Sequence, residues 1–164
     1  MPTKKISAFT LAEMLVTLAL TSILITFCYM SFNYTEQLLN QFNRQSLFIT
    51  QLNELNKRGD ILMKAPGIII REGDEKIIFR SDSIDNSLEF GKENILLKRF
   101  GQTDTFDLAS EKLSYRYEKL SNPLWQDRLV NTVEFDVYFQ KQKFHLTFHK
   151  NYDAVTKLGL EQQN

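Results

Sequence analysis

Cysteine occurs once in this chain, at Cys28, so no intrachain disulfide can form. Proline is nearly absent, and none falls between Phe9 and Ala65. Glycine is sparse too, and the first is Gly59. About fifty residues therefore pass without either of the two strongest helix breakers. Net charge is also missing: Lys+Arg and Asp+Glu stand at 20 each. That balance removes the electrostatic case for a nucleic-acid partner or an acidic substrate. Histidine occurs only at His145 and His149, and no HExxH, P-loop or Gly-x-Ser-x-Gly pattern is present. With no catalytic constellation, the chain reads as an interaction protein and not as an enzyme.

What is present is one long apolar run. The chain has a mean hydropathy of -0.30, yet Met14 to Phe32 carries no charge at all. The rest must then be clearly polar, as expected of a membrane anchor joined to a soluble domain. Residues 9–32 would form a helix of about 36 Å, against a hydrocarbon core of about 30 Å. The far end, Phe27-Cys28-Tyr29-Met30-Ser31-Phe32, offers no small-residue cleavage site of the secretory type. Tyr29, Phe32 and Tyr34 instead suit an interfacial aromatic belt. Lys4 and Lys5 flank the other side, which places the N-terminus in the cytoplasm and the bulk of the chain outside it.

Glu13 is the exception inside this apolar segment. A carboxylate near hydrocarbon costs several kcal/mol unless something uses it. Position offers one explanation, because the side chain can snorkel to the interface from about one turn into the span. The first helical turn also favours a negative charge.

A short basic leader, the stretch Ser7-Ala8-Phe9-Thr10-Leu11-Ala12-Glu13 and a long apolar run together resemble the N-terminus of type IV pilins and type II secretion pseudopilins. The likeness covers about Lys4 to Phe32. It implies that a prepilin peptidase, reading Lys4 and Lys5, cuts between Ala8 and Phe9, and that Phe9 is then N-methylated. It implies that Glu13 of one subunit neutralises the new Phe9 amine of its neighbour during filament assembly. The physics agrees, since opposite charges in a low-dielectric layer attract strongly and either alone is costly. The implied partners are other pilin or pseudopilin subunits, the peptidase and methylase, an inner-membrane assembly platform and the lipid bilayer. Two departures stand out. Ala8 replaces the usual Gly before the cut, and the helix lacks the Pro that major pilins carry, which points to a minor subunit. Two rival readings remain at this point: a single-pass envelope domain that never polymerises, and a lipoprotein anchored at Cys28. Phe27 is bulkier than the small residue a lipobox carries there.

Beyond the membrane segment, Leu38, Phe42, Ile49, Leu52 and Leu55 recur at helical intervals among polar residues. One helix is expected from Phe9 to about Lys57, with its amphipathic half at 33–58 packed on a sheet. An antiparallel β domain is expected at 59–150, a polar, loosely held tail at 151–164 and the leader at 1–8. Period-two patterning marks strands at Ile68–Ile70, Lys76–Arg80, Leu88–Phe90, Ile95–Phe100 and Leu113–Tyr117, with a hairpin at Val133–Phe148. The fold class is α+β, a long N-terminal helix on an antiparallel sheet, which is the pilin-like architecture.

Three smaller features bear on chemistry. His145 and His149, on a strand, lie about 13 Å apart and opposite Phe144, Leu146 and Phe148, so both should face solvent. Asp82, Asp85 and Asn86 form a short acidic cluster that reads as an ordinary Asx-type turn, with calcium held by its carboxylate and carbonyl oxygens as the alternative. Trp125 lies in a loop, where it either caps the core or faces a partner.

Overall fold

The computed structural model describes residues 10–81, 85–125 and 128–162. The chain divides into two compact units, 1–45 and 46–164. The first helix, α1, covers Leu11–Lys64. It passes through Gly59 and runs about two turns beyond the expected end at Lys57. A lone Gly weakens a helix interior by only about 1 kcal/mol. Here a packing contact offsets that cost. A Cβ at Gly59 would sit 2.5 Å from Cζ of Phe148, so only a hydrogen lets the ring lie on the helix.

The first unit, as far as it is described, is helix alone. Its apolar side chains, from Leu11 to Phe42, are exposed in the isolated chain. In the second unit, α1 buries Phe48, Leu55, Gly59, Leu62 and Met63. This corrects the expected packing stripe. Leu38, Phe42 and Ile49 are exposed, and Leu52 is only partly buried. The buried line follows Phe48, Leu55 and Leu62, spaced seven apart, with Gly59 set between them.

Among the described residues eight strands follow: β1 (Ile68–Arg71), β2 (Lys76–Arg80), β3 (Asn86–Phe90), β4 (Ile95–Arg99), β5 (Gln102–Phe106), β6 (Ser110–Tyr117), β7 (Val130–Phe139) and β8 (Gln142–His149). They form two antiparallel sheets, ordered β1-β2-β3-β4-β5 and β6-β7-β8. Strand β5 is an unforeseen element, because Gln102-Thr103-Asp104-Thr105 has no apolar alternation to read. Phe100 belongs to no strand. It sits at φ 51 beside Gly101 at φ 78, in a two-residue hairpin turn of the kind that needs left-handed backbone. Gln140 and Lys141 do the same between β7 and β8.

One core joins α1 to both sheets through Leu55, Ile77, Leu88, Ile95, Leu97, Val133 and Phe135, each fully buried. Phe48 stacks on Phe139 with ring centres 4.5 Å apart, and Phe135 meets Phe90 at 4.9 Å and Phe148 at 5.6 Å. Such pairs contribute about 0.5–1.5 kcal/mol each beyond area burial.

The expected loose tail is a folded element. Tyr152 is buried, and its hydroxyl accepts from the Ile69 N–H (3.0 Å) and donates to Val130 O (2.6 Å). A short helix, α2 (Ala154–Glu161), follows, with Asp153 as its N-cap. Leu160, Tyr152 and Leu129 make a second small core against which Trp125 packs, so Trp125 is half-buried and serves packing. Lys150 is buried as well. Its ammonium donates to Met63 O (3.1 Å) and Ala65 O (2.6 Å), closing the last turn of α1.

Candidate functional site

The start of α1 is built by Thr10 and Glu13. The Thr10 N–H donates to Glu13 Oε2 at 2.9 Å, and the Thr10 hydroxyl donates to the same oxygen at 3.0 Å. In return, the Glu13 N–H donates to Thr10 Oγ1 at 3.3 Å. This reciprocal pattern is a capping box, Thr at the N-cap and Glu three residues on. It gives Glu13 a use inside its own chain, beyond charge and position. The sequence signal for it is Thr10-x-x-Glu13 ahead of an apolar run.

Past Glu13 the helix is long and apolar enough to cross a membrane. From Leu11 to Phe32 it rises about 33 Å. Its hydroxyls do not spoil the span. Thr17 donates to Glu13 O (2.9 Å), Ser22 to Leu18 O (2.8 Å), Thr26 to Ser22 O (2.8 Å) and Thr35 to Ser31 O (2.9 Å), while Thr21 bonds Thr17 O. Each of these five hydroxyls is satisfied by the turn below it, so none of the five faces its surroundings unpaired.

Lys4, Lys5, Ala8 and Phe9, the residues assigned to leader recognition, cleavage and methylation, lie outside the described residues. So does Asp82 of the acidic cluster. Asp85 is exposed and pairs with Arg80 at 3.5 Å. Among the described residues, no group of three or more His, Cys, Asp or Glu side chains could hold a metal ion. Cys28 is exposed on α1.

Residues 3–29 match the family model described as the prokaryotic N-terminal methylation motif. The chain thus carries the type IV pilin and pseudopilin signature. No curated protein and no solved structure matches the chain. The methylation motif spans the capping box and nearly all of the apolar segment. One long N-terminal helix followed by antiparallel sheets is also the architecture expected of a pilin-like fold. Motif and apolar helix together mark a membrane-anchored protein.

The folded unit holds a second polar cluster. His145 and His149 are exposed on β8 as expected, but neither stands alone. His145 Nδ1 lies 2.9 Å from Asp136 Oδ1, and Lys143 Nζ lies 2.9 Å from Asp136 Oδ2. Hydrogen bonds from Lys143, then His145, hold the Asp136 carboxyl below the usual carboxylate range. His149 meets Thr132 Oγ1 (3.0 Å) and Asn151 Oδ1 (2.7 Å). These contacts tie strands together and offer no third ligand for a metal.

Proposed function

We propose that the chain is a minor pilin or pseudopilin, a structural subunit of a type IV pilus-like or type II secretion filament. The match to the methylation motif at residues 3–29, with Glu13 inside it, carries this reading. A prepilin peptidase cuts between Ala8 and Phe9, and the mature chain begins at N-methylated Phe9. Its apolar helix sits in the inner membrane with the N-terminus cytoplasmic, consistent with Lys4 and Lys5 on that flank. Glu13 then meets the Phe9 amine of a neighbouring subunit. Its carboxylate has room for this role, since both Thr10 bonds fall on Oε2. The missing disulfide pair favours a pseudopilus over a surface pilus. The function is structural, and no catalytic step is assigned.

Mass spectrometry of the mature N-terminus tests the reading. A chain starting at methylated Phe9 supports it, whereas an intact Met1 start or a lipid on Cys28 defeats it. Glu13→Ala should leave membrane insertion intact and reduce incorporation into filaments. Unchanged assembly in that variant would remove the pairing role and leave the cleavage assignment standing.

A further inference from the structure

Strand β8 is the outer strand of the three-stranded sheet, and among the described residues no strand pairs with its other edge. The other sheet edges are guarded. On β6 the register shifts between Glu111 and Ser114 and again between Arg116 and Tyr117, with Lys112 at φ 53. β1 is met by the chain before β7, through the Ile70–Leu129 bridge and the Arg71 N–H on Arg128 O (3.1 Å). β5 is five residues long and carries Asp104, paired with Arg58 and Arg99. Bulges, short strands and charge are the usual defences against edge pairing. By contrast, β8 pairs with β7 over eight unbroken positions, from Thr132↔His149 to Phe139↔Gln142, and its one lysine, Lys143, is paired with Asp136 of β7 behind it.

The register shows which backbone groups point outward. The Lys150 N–H donates to Asn131 O at 2.8 Å. Bonded and non-bonded pairs alternate in an antiparallel ladder. Residues 142, 144, 146 and 148 therefore bond β7. The N–H and C=O groups of Lys143, His145, Thr147 and His149 point to the free edge. Their side chains, with Lys141 at the hairpin tip, are exposed, and β8 contains no acidic residue. Phe144 on the other face is only half-buried.

We propose that this edge receives an extended segment of another polypeptide, carrying apolar and acidic residues in alternation. Backbone hydrogen bonds would supply a new ladder, as in strand addition to an open sheet edge. Acidic side chains would fall beside Lys143 and His145, and apolar ones beside Phe144 and Leu146. The neighbour already on the other side of β8 has this pattern: Val133-Glu134-Phe135-Asp136-Val137, with Asp136 on Lys143 and His145. The inference is independent of polymerisation, since it concerns the folded unit alone.

The probe is an acetylated peptide of residues 132–138, Thr-Val-Glu-Phe-Asp-Val-Tyr, titrated into the full chain in detergent micelles. Saturable binding is expected, weakened at least tenfold by Thr147→Pro, because proline on an edge removes an outward N–H and spares the ladder behind it. Circular dichroism of that variant should be unchanged. The same peptide N-methylated at alternate amides provides a test that needs no mutation, and it should not bind. A peptide with Lys in place of Glu and Asp should bind at least tenfold more weakly. Absence of binding, or equal binding by the N-methylated peptide, overturns the proposal.

Discussion

Thr10 and Glu13 make the start of α1 a property of two side chains. Thr10→Val keeps the shape of the residue and deletes the hydroxyl, so the hydroxyl bond to Oε2 and the acceptor for the Glu13 N–H are both lost while the backbone N–H bond to Oε2 remains. An N-cap of this kind contributes about 1 kcal/mol. Amide exchange of Glu13 in detergent micelles should quicken about fivefold, and Thr10→Ser should restore it. Gly59 makes the opposite argument, because there a side chain must be absent. Gly59→Ala improves helix propensity by up to about 1 kcal/mol. It also drives a methyl into the buried ring of Phe148, an overpacking that costs about 1–3 kcal/mol. The contact is too close for the propensity gain to win, and the thermal midpoint should fall. Gly59 was legible only as the first glycine after a long gap. Nothing in the sequence paired it with Phe148, 89 positions away.

The element that sequence patterning misjudged most is the end of the chain. Asn151 to Asn164 reads as polar, but Tyr152 and Leu160 are anchors that a count of polar residues hides. Two buried groups, the Ile69 N–H and the Val130 carbonyl, depend on one tyrosine hydroxyl. Tyr152→Phe leaves both without a partner at the cost of about 2 kcal/mol. Chemical denaturation should show the loss as a lower midpoint at unchanged slope. The β7–β8 hairpin, in contrast, was readable in advance. Val133, Phe135 and Val137 alternate with charge, and the register follows that alternation because a slip of one residue would turn every apolar side chain outward. For β5 the same logic had nothing to work on. Its place comes from pairing with β4 and from Asp104, held by Arg58 of α1 and Arg99 of β4.

Across the folded unit, several carboxylates are held below their usual range. Glu118 is held by its bond from Lys157, against the opposing effect of burial, and further by Asn131. Burial pushes Asp104 up, but Arg58 and Arg99 outweigh it. Asp136 is lowered by Lys143 and His145, and Asp153 by the Thr156 it caps. In each case the unfolded chain binds a proton more readily than the folded one. The stabilisation is therefore complete above the ordinary carboxylate pKa and is lost as pH falls from there through the lowered value of the folded chain. The melting temperature of the chain in micelles should drop between about pH 5 and about pH 3. Lys157→Met should flatten part of that dependence by freeing Glu118.

By itself the sequence determined the membrane-length helix, the acid near its mouth, the motif around it and the switch from period 3.6 to period two. Those are local properties, written in the spacing of apolar and charged residues along one stretch. Only the tertiary structure decided that α1 continues through Gly59, that the strands part into two sheets, that the tail folds back and which sheet edge stays open. Each of those depends on groups far apart in the chain, such as Phe148 on Gly59, Lys150 on the carbonyls ending α1 and Tyr152 between Ile69 and Val130. No periodicity records such pairings, because they are made by close packing and by the need to satisfy buried polar groups.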